Sequence, residues 1–383
     1  MKAAANTPFW PALDGLRGLA VLLVLAEHFT YSDWVRGFHP GMIGVRSFFV
    51  LSGFLITGIL LAARDGGSST ASIARNFFRN RVLRLAPPLL AAVALAAALD
   101  IAAMRQDALW HLAWLSNVLA YQQGYWPGAG HFWTLALEEQ FYLLWFPAMV
   151  LLPRRAILPV TLALLLTGPA FRLWIVAGGD PFLDVLLPSQ VDALALGALL
   201  AQMRGRGGKR WGVQRWAGRL LSPGLMALGL LGLVLAIAAL DLAGAQVPAL
   251  VAWLVVPALV ALFAAGAILS AIGPSPPRLL LWQPMRRLGR ISYGIYIYHY
   301  FMPPFVAAYL PGLAAPESPA EKLLRLAVWI GLTLAVASLS WQFLERPALA
   351  LKARAGGPGP VPAAPPSGTA PGQAAKRTMG LAP

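Results

Sequence analysis

The composition of this 383-residue chain is that of a membrane protein. Hydrophobic residues make up 58% and charged residues 12% of it, whereas soluble domains average roughly 45–50% and about 25%. The formal net charge is +15, and the chain contains no cysteine. An ordinary soluble fold, disulfide bonds, thiolate metal sites and a cysteine nucleophile are therefore excluded.

Ten apolar segments are candidates for bilayer crossing, which takes about 20 residues in a helix. The sequence predicts spanning helices over 12–31, 42–63, 84–103, 132–152, 156–176, 187–203, 221–240, 248–272, 290–310 and 324–344. We therefore expect an all-α polytopic helix bundle, with residues 1–349 as one transmembrane domain. Residues 350–383 are rich in Pro, Ala and Gly without apolar periodicity, and are expected to form a disordered cytoplasmic tail.

The basic residues indicate how these helices are oriented. Most of the 30 lysines and arginines fall in the N-terminal arm, in 64–84, 154–155, 204–219 and 278–290, and after residue 345. These segments alternate as a ten-helix chain requires, and positively charged loops stay in the cytoplasm, so both termini are expected there. Topology and contact with anionic membrane lipid explain the positive charge, and nucleic-acid binding is not expected.

The first helix carries two ionisable residues that a simple membrane anchor would lack, Arg17 and His28. Buried ionisable groups are costly and therefore indicate function. Eleven positions separate the two residues, which places them on nearly the same helix face and roughly 16 Å apart along the axis. With this helix running outward, Arg17 lies near the cytoplasmic face, while His28 lies in the outer part of the membrane as a candidate general base.

Arg81 and Arg84 lie one turn apart at the cytoplasmic start of the third helix and face the same way. Together with Arg17 they would suit an anion that carries several phosphates. A topological role is an equal alternative, because both residues could be simple positive-inside anchors.

Glu138 and Glu139 lie about two turns below the outer end of an inward-running helix, at a depth that the sequence places near His28. A carboxylate beside an imidazole fixes its tautomer and stabilises the imidazolium. Adjacent residues point about 100° apart, so only one of the two glutamates can serve His28. The alternative is that a glutamate pairs with an arginine for packing, with Arg46 and Arg172 as possible partners.

Two further polar residues fall inside apolar segments. His299 is interpreted either as a core histidine hydrogen-bonded among tyrosines or as part of the site, and Asp192 either as a structural ion-pair partner or as a site residue. Glu139, His299 and Asp192 are thus secondary candidates for substrate binding. The five histidines show no metal-ligand spacing, and no bound metal is expected.

Five stretches in order resemble the acyltransferase 3 family of bacterial integral-membrane O-acyltransferases. The first is Arg17-x10-His28; the others lie at 44–57 (GVRSFFVLSGFLIT), 77–84 (FFRNRVLR), 131–142 (HFWTLALEEQFY) and 289–296 (GRISYGIY). The resemblance implies an acyl-coenzyme A donor, most often acetyl, and a sugar hydroxyl of a surface or secreted glycan, glycolipid or glycosylated metabolite as acceptor. The resemblance also implies the bacterial inner membrane as the location. It favours Glu138 over Glu139, because Glu138 stands where the family's motif has its first acid.

We therefore expect a membrane O-acyltransferase in which Arg17, Arg81 and Arg84 hold the coenzyme A phosphates and His28, assisted by Glu138, is the general base. A proton-coupled transporter is the alternative, because it too would place ionisable residues and prolines in spanning helices. No internal inverted repeat is visible, and Arg17 and His28 are too far apart for a direct relay.

Overall fold

A computed structural model describes residues 9–30, 32, 35, 37–205, 223–232 and 250–354, and these residues form helices and loops without a β-strand. The first half contains α1 (Pro11–Phe29), α2 (Pro40–Asp65), α3 (Thr70–Ala98), α4 (Met104–Leu112), α5 (Ser116–Gln123), α6 (Phe132–Leu151), α7 (Arg154–Val176) and α8 (Leu187–Gly205), with a 3₁₀ turn at Pro181–Val185.

The second half contains α9 (Pro223–Gly232), α10 (Val256–Ile272), α11 (Arg278–Leu281), α12 (Gln283–Arg290), α13 (Ser292–Tyr298), α14 (Met302–Tyr309), α15 (Pro319–Ser340) and α16 (Arg346–Arg354). Residues 251–255 and 341–345 are π-helical turns that continue into α10 and α16. The predicted all-α fold is thus confirmed for the described residues.

Six segments of the described chain are long and apolar enough to cross a membrane: Pro40–Asp65, Thr70–Ala98, Arg154–Val176, Pro181–Arg204, Val251–Ile272 and Pro319–Leu351. Helices α1 and α6, with 19 and 20 residues, approach spanning length but contain ionisable side chains that reduce their hydropathy. The chain is a multi-pass membrane protein. The number of ten crossings and the cytoplasmic position of both termini remain predictions, since residues 206–222 and 233–249 lie outside the described residues.

Several predicted boundaries differ from the structure. Helix α3 begins at Thr70, well before the predicted residue 84, because a polar first turn capped by the Ser69 hydroxyl extends it beyond the apolar stretch. The last helix continues to Arg354, past the boundary at 349, where it packs against α3. The remainder of the predicted tail, 355–383, lies outside the described residues.

The predicted helix 290–310 is interrupted by a 3₁₀ turn over His299–Phe301. Pro303 and Pro304 follow this turn, and neither has an N–H to donate to the carbonyls one helical turn earlier. The α-helical ladder therefore gives way to a tighter turn, which fixes the position of His299.

Glycines bring α2 and α8 into direct backbone contact at the centre of the bundle. A Cβ atom on Gly53 would overlap the carbonyl of Leu194, and one on Gly197 would overlap the carbonyl of Val50. Small residues at such crossings allow the close packing on which helix association in a bilayer depends. This contact fixes the position of α2, which lines one side of the site described below.

Candidate functional site

A cavity of about 650 Å³, the inner cavity, opens between α1, α2, α3, α6 and α13. Its polar lining includes side chains from all five of these helices and five of the eight candidate site residues: Arg17, Arg81, Arg84, Glu138 and Glu139. The remaining wall is mostly apolar and includes Ile59, Leu60, Ile73 and Phe77. The structure therefore brings the arginines and glutamates together around one space large enough for a substrate.

Arg81 is already held by protein groups. Its Nη2 and Nε donate to the Glu139 carboxylate at 2.7 and 3.1 Å, and its guanidinium lies over the Tyr142 ring at 3.5 Å from the centroid. This two-nitrogen contact neutralises the charge of Arg81 and orients Glu139. The predicted pairing of a glutamate with Arg46 or Arg172 is thus wrong for Glu139.

Arg17 and Arg84 are less engaged. Arg17 has one ion pair, at 3.4 Å from the Asp14 carboxylate, which also lies 3.9 Å from Arg290. Arg84 is exposed and, within the described part of the chain, has no hydrogen bond or ion pair. These two guanidinium groups are the cations that the inner cavity offers to an anionic ligand.

Glu138 does not contact His28, contrary to the predicted pairing. Its carboxylate accepts from the Ser52 hydroxyl at 3.1 Å and from the Tyr142 hydroxyl at 2.8 Å, inside the inner cavity. The reason is that His131, the residue before α6, already packs against His299, the partner of His28. Glu138 is seven residues farther along, roughly 10 Å deeper.

His28 lines a second space, the outer cavity, with a volume of about 640 Å³. Its lining consists of a carboxylate, two histidines, two aromatic rings and four small or proline residues: Glu27, His28, Phe29, His39, Ala102, Gly128, Tyr300, Pro303 and Pro304. The Glu27 carboxylate accepts from the Gly41 N–H at 2.5 Å, which ties the outer end of α1 to the start of α2.

The partner of His28 is His299. Nδ1 of His28 lies 2.7 Å from Nε2 of His299, and Nδ1 of His299 lies 2.7 Å from the Tyr296 carbonyl oxygen. His299 is 0% exposed and lines neither cavity. It therefore belongs to the site through His28 and does not touch a substrate in either space.

A layer of side chains separates the two cavities. His131 packs against His299 with ring centroids 5.2 Å apart, and the Tyr296 hydroxyl donates to the His131 carbonyl at 2.9 Å. The same hydroxyl lies 2.7 Å from that of Thr134, and both residues line the inner cavity. The layer thus connects the inner cavity to the back of the His28–His299 pair.

Asp192 lines neither cavity, so the structure gives no support for a substrate contact. It is buried between two buried arginines, with Arg46 Nη2 at 3.0 Å and Arg172 Nη2 at 2.7 Å from one carboxylate oxygen. The carboxylate joins α2, α7 and α8 by ion pairs, as its structural interpretation predicts.

The site residues that sequence reasoning missed include Ser52, His131, Tyr142 and Tyr296. Each lies within one of the motif stretches. Tyr142 follows Glu138 by one helical turn, and this spacing could have indicated that the two side chains are in contact. The proximity of His131 to His28 had no local signal, because it depends on how α6 packs against α13. No group of three or more metal-binding side chains occurs within the described ranges.

The chain is similar to known bacterial acetyltransferases. It is 29% identical to the peptidoglycan O-acetyltransferase OatA of Listeria monocytogenes serovar 1/2a over 365 residues, covering 88% of this chain and 55% of the relative. It is 25% identical to the O-acetyltransferase OatA of Staphylococcus aureus strain NCTC 8325, with 88% and 57% covered. The Bacillus subtilis (strain 168) protein YrhL, named provisionally as a peptidoglycan O-acetyltransferase, is 30% identical, with 88% and 54% covered.

This chain therefore spans a little over half the length of these relatives. No solved structure matches it significantly. The model of the acyltransferase domain matches residues 10–344, which contain all eight candidate residues and, except for Leu349, the lining of both cavities. The resemblance seen in the five motifs is thereby confirmed, and the chain belongs to the acyltransferase 3 family.

Proposed function

We propose that this protein transfers an acyl group, acetyl in the first instance, from cytosolic acyl-coenzyme A to a hydroxyl of a carbohydrate outside the bacterial plasma membrane. One observation carries the proposal. A single helix, α1, contributes a cation to the inner cavity and an imidazole to the outer one, through Arg17 and His28. A transfer across the membrane needs an anion site and a base arranged in this way.

The inner cavity fits the donor. Arg17 and Arg84 offer charge-assisted hydrogen bonds to phosphate oxygens, and the apolar wall suits the less polar pantetheine arm. Roughly 16 Å separates Arg17 from His28 along α1, a distance that an extended arm can bridge. Thr134 and Tyr296 lie at the end of the cavity nearest His28 and belong to the layer between the two cavities, which the acyl end must pass to reach the acceptor.

The outer cavity fits a sugar. Tyr300 and Phe29 provide apolar ring surface for the C–H face of a pyranose, and the Glu27 carboxylate can accept from hydroxyls. Two of the relatives carry peptidoglycan in their names, and peptidoglycan is a carbohydrate polymer outside the plasma membrane. A cell-surface glycan of this class is therefore the proposed acceptor.

The chemistry at His28 is general-base catalysis. The acceptor hydroxyl gives its proton to the imidazole while its oxygen bonds to the acyl carbon, and the carbon–sulfur bond breaks. The departing thiolate takes the proton and leaves as coenzyme A thiol. Imidazole suits this step because it exchanges protons near neutral pH, where a carboxylate is too weak a base.

The test is acyl transfer by purified protein with acetyl-coenzyme A and peptidoglycan fragments, measured as released thiol and as ester on the glycan. Removing the base in His28→Gln should lower turnover by about a hundredfold or more and leave donor affinity unchanged. Near-normal transfer by this variant would contradict the role of His28. Solute movement without thiol release would favour the transporter instead.

A further inference from the structure

The hydrogen bonds around His299 determine where its proton lies. A carbonyl oxygen can only accept, so at 2.7 Å from the Tyr296 carbonyl it is Nδ1 of His299 that carries the hydrogen and donates. His299 is 0% exposed, and within the described part of the chain no carboxylate contacts it. A buried imidazolium without a counter-charge would be costly, so His299 is neutral and its Nε2 holds a lone pair.

The same reasoning extends to His28. With Nε2 of His299 as the acceptor, Nδ1 of His28 at 2.7 Å must be the donor. The ring centroids are 5.0 Å apart and the planes differ by 8°, a separation equal to the N–N distance plus one ring radius at each end. The rings therefore lie edge to edge in nearly one plane, as an in-plane lone pair requires.

In the neutral imidazole of His28, Nε2 is therefore the nitrogen without a proton, and it has no hydrogen-bond partner among the residues that the structure describes. We propose that His299 is a positioning residue: it holds His28 in the Nδ1–H tautomer and thereby presents Nε2 as the basic atom to the outer cavity. A histidine whose second nitrogen is fixed in this way has one defined tautomer and ring orientation.

The environment of His299 is suited to this role. The 3₁₀ turn positions its backbone, and its ring packs against Phe29 and His131 at centroid distances of 6.1 and 5.2 Å. When His28 takes up a proton at Nε2, its Nδ1–H continues to donate to His299. The imidazolium therefore forms and disappears without rearrangement of the pair.

The tautomer can be measured without any reaction. Histidine ¹⁵N resonances of the full chain in lipid distinguish Nδ1–H from Nε2–H imidazole, and the chain has only five histidines, so His28→Gln identifies the His28 signals. We expect the Nδ1–H form in the unmutated protein. Wild-type His28 protonated at Nε2 would overturn the proposal outright.

Two variants test whether His299 determines the tautomer of His28. His299→Phe removes the acceptor and should shift the His28 tautomer, whereas His299→Gln retains an amide oxygen able to accept and should largely keep it. An unchanged His28 tautomer in His299→Phe would contradict the proposal. If His299→Phe does not fold, the wild-type spectrum still decides the tautomer, and loss of the Nδ1–H form in a folded His299→Gln variant would contradict the proposal.

The kinetic consequence rests on the proposed function. In the acyl-transfer assay His299→Phe should lower kcat by about tenfold or more with little change in KM for the donor, and His299→Gln should recover most of the loss. Normal activity of His28→Gln would refute the proposed base while leaving the tautomer result intact. An equal loss of kcat in both His299 variants would contradict the positioning role.

Discussion

At the scale of single residues, the three arginines that the sequence predicts as phosphate ligands, Arg17, Arg81 and Arg84, differ in their contacts within the protein. Arg81 is bound to Glu139 and covered by Tyr142, whereas Arg84 lines the inner cavity and, among the described residues, has no hydrogen bond or ion pair. Only an arginine whose donors are unused gains charge-assisted hydrogen bonds from a ligand. Arg84, and to a lesser degree Arg17, should therefore bind the donor phosphates, while Arg81 supports the cavity wall.

We expect Arg84→Ala to weaken coenzyme A binding by about ten- to a hundredfold, which corresponds to roughly 1.5–3 kcal/mol for a charged hydrogen bond. Arg84→Lys should recover little, because a point charge does not reproduce the planar fork. Calorimetric titration with coenzyme A checks both. The matched control is Arg75→Ala, an exposed arginine on the same helix outside the cavity; equal losses in the two alanine variants would rule out a specific phosphate contact.

His39, between α1 and α2, makes the outer rim sensitive to pH. Glu27, whose carboxylate lies 4.0 Å away, raises the pKa of His39 above its usual value. Stabilisation from a raised pKa is fully present below the unfolded value, near 6.5, and is lost as pH rises through the folded value. The side chain is 66% exposed, so the effect should be small.

We therefore expect the difference in melting temperature between the wild type and His39→Gln to shrink as pH rises from about 6 to about 9. The glutamine variant cannot titrate at this position, so it serves as the reference at every pH. A difference that stays constant or grows over this range would contradict the ion pair with Glu27.

At the scale of helices, the contact between α2 and α8 positions the Ser52 wall of the inner cavity. The backbones touch at Gly53 and Gly197, where neither helix has room for a side chain. Gly58 lies on the same helix, α2, and a Cβ added there would meet nothing within 4 Å. Gly53 and Gly58, both on α2, thus form a matched pair for substitution.

Gly53→Ala should lower the free energy of unfolding by about 1–3 kcal/mol, because the helices must separate to admit a methyl group. Gly58→Ala should be neutral or stabilising by up to about 1 kcal/mol, since alanine is the better helix former. Thermal unfolding in detergent distinguishes them. Similar melting temperatures for both variants would mean that the helices are not in backbone contact.

At the scale of the whole molecule, the direction of transfer depends on which side the inner cavity faces. The positive loops predict that the start of α3 is cytoplasmic and that the turn before α15 is outside. The chain has no cysteine, so introduced cysteines report without background. Ala71 and Ala315 are exposed alanines on these two segments.

In intact cells an impermeant maleimide should label Ala315→Cys, and it should label Ala71→Cys only after permeabilisation. The two substitutions change the same residue type, so labelling chemistry is matched. The opposite pattern would mean that the protein has the reverse orientation in the membrane. The arginine-lined cavity would then face the side where acyl-coenzyme A is absent.

The sequence by itself determined the membrane class, the all-helical fold and the family, because apolar composition and local motifs are properties of short stretches. It also identified Arg17 and His28, since an ionisable residue within an apolar helix stands out wherever the helix packs. The positions of most candidate residues on helices followed from periodicity alone.

Only the tertiary structure decided which of these residues meet. The depth of Glu138 relative to His28 depends on the vertical offset between α6 and α1, and Asp192 is joined to Arg46 and Arg172 across three helices. Periodicity gives the face and spacing of residues within one helix, but it contains nothing about the offset between helices distant in the chain. His299 is the partner of His28 because of helix packing, although the two residues are 271 positions apart in the sequence.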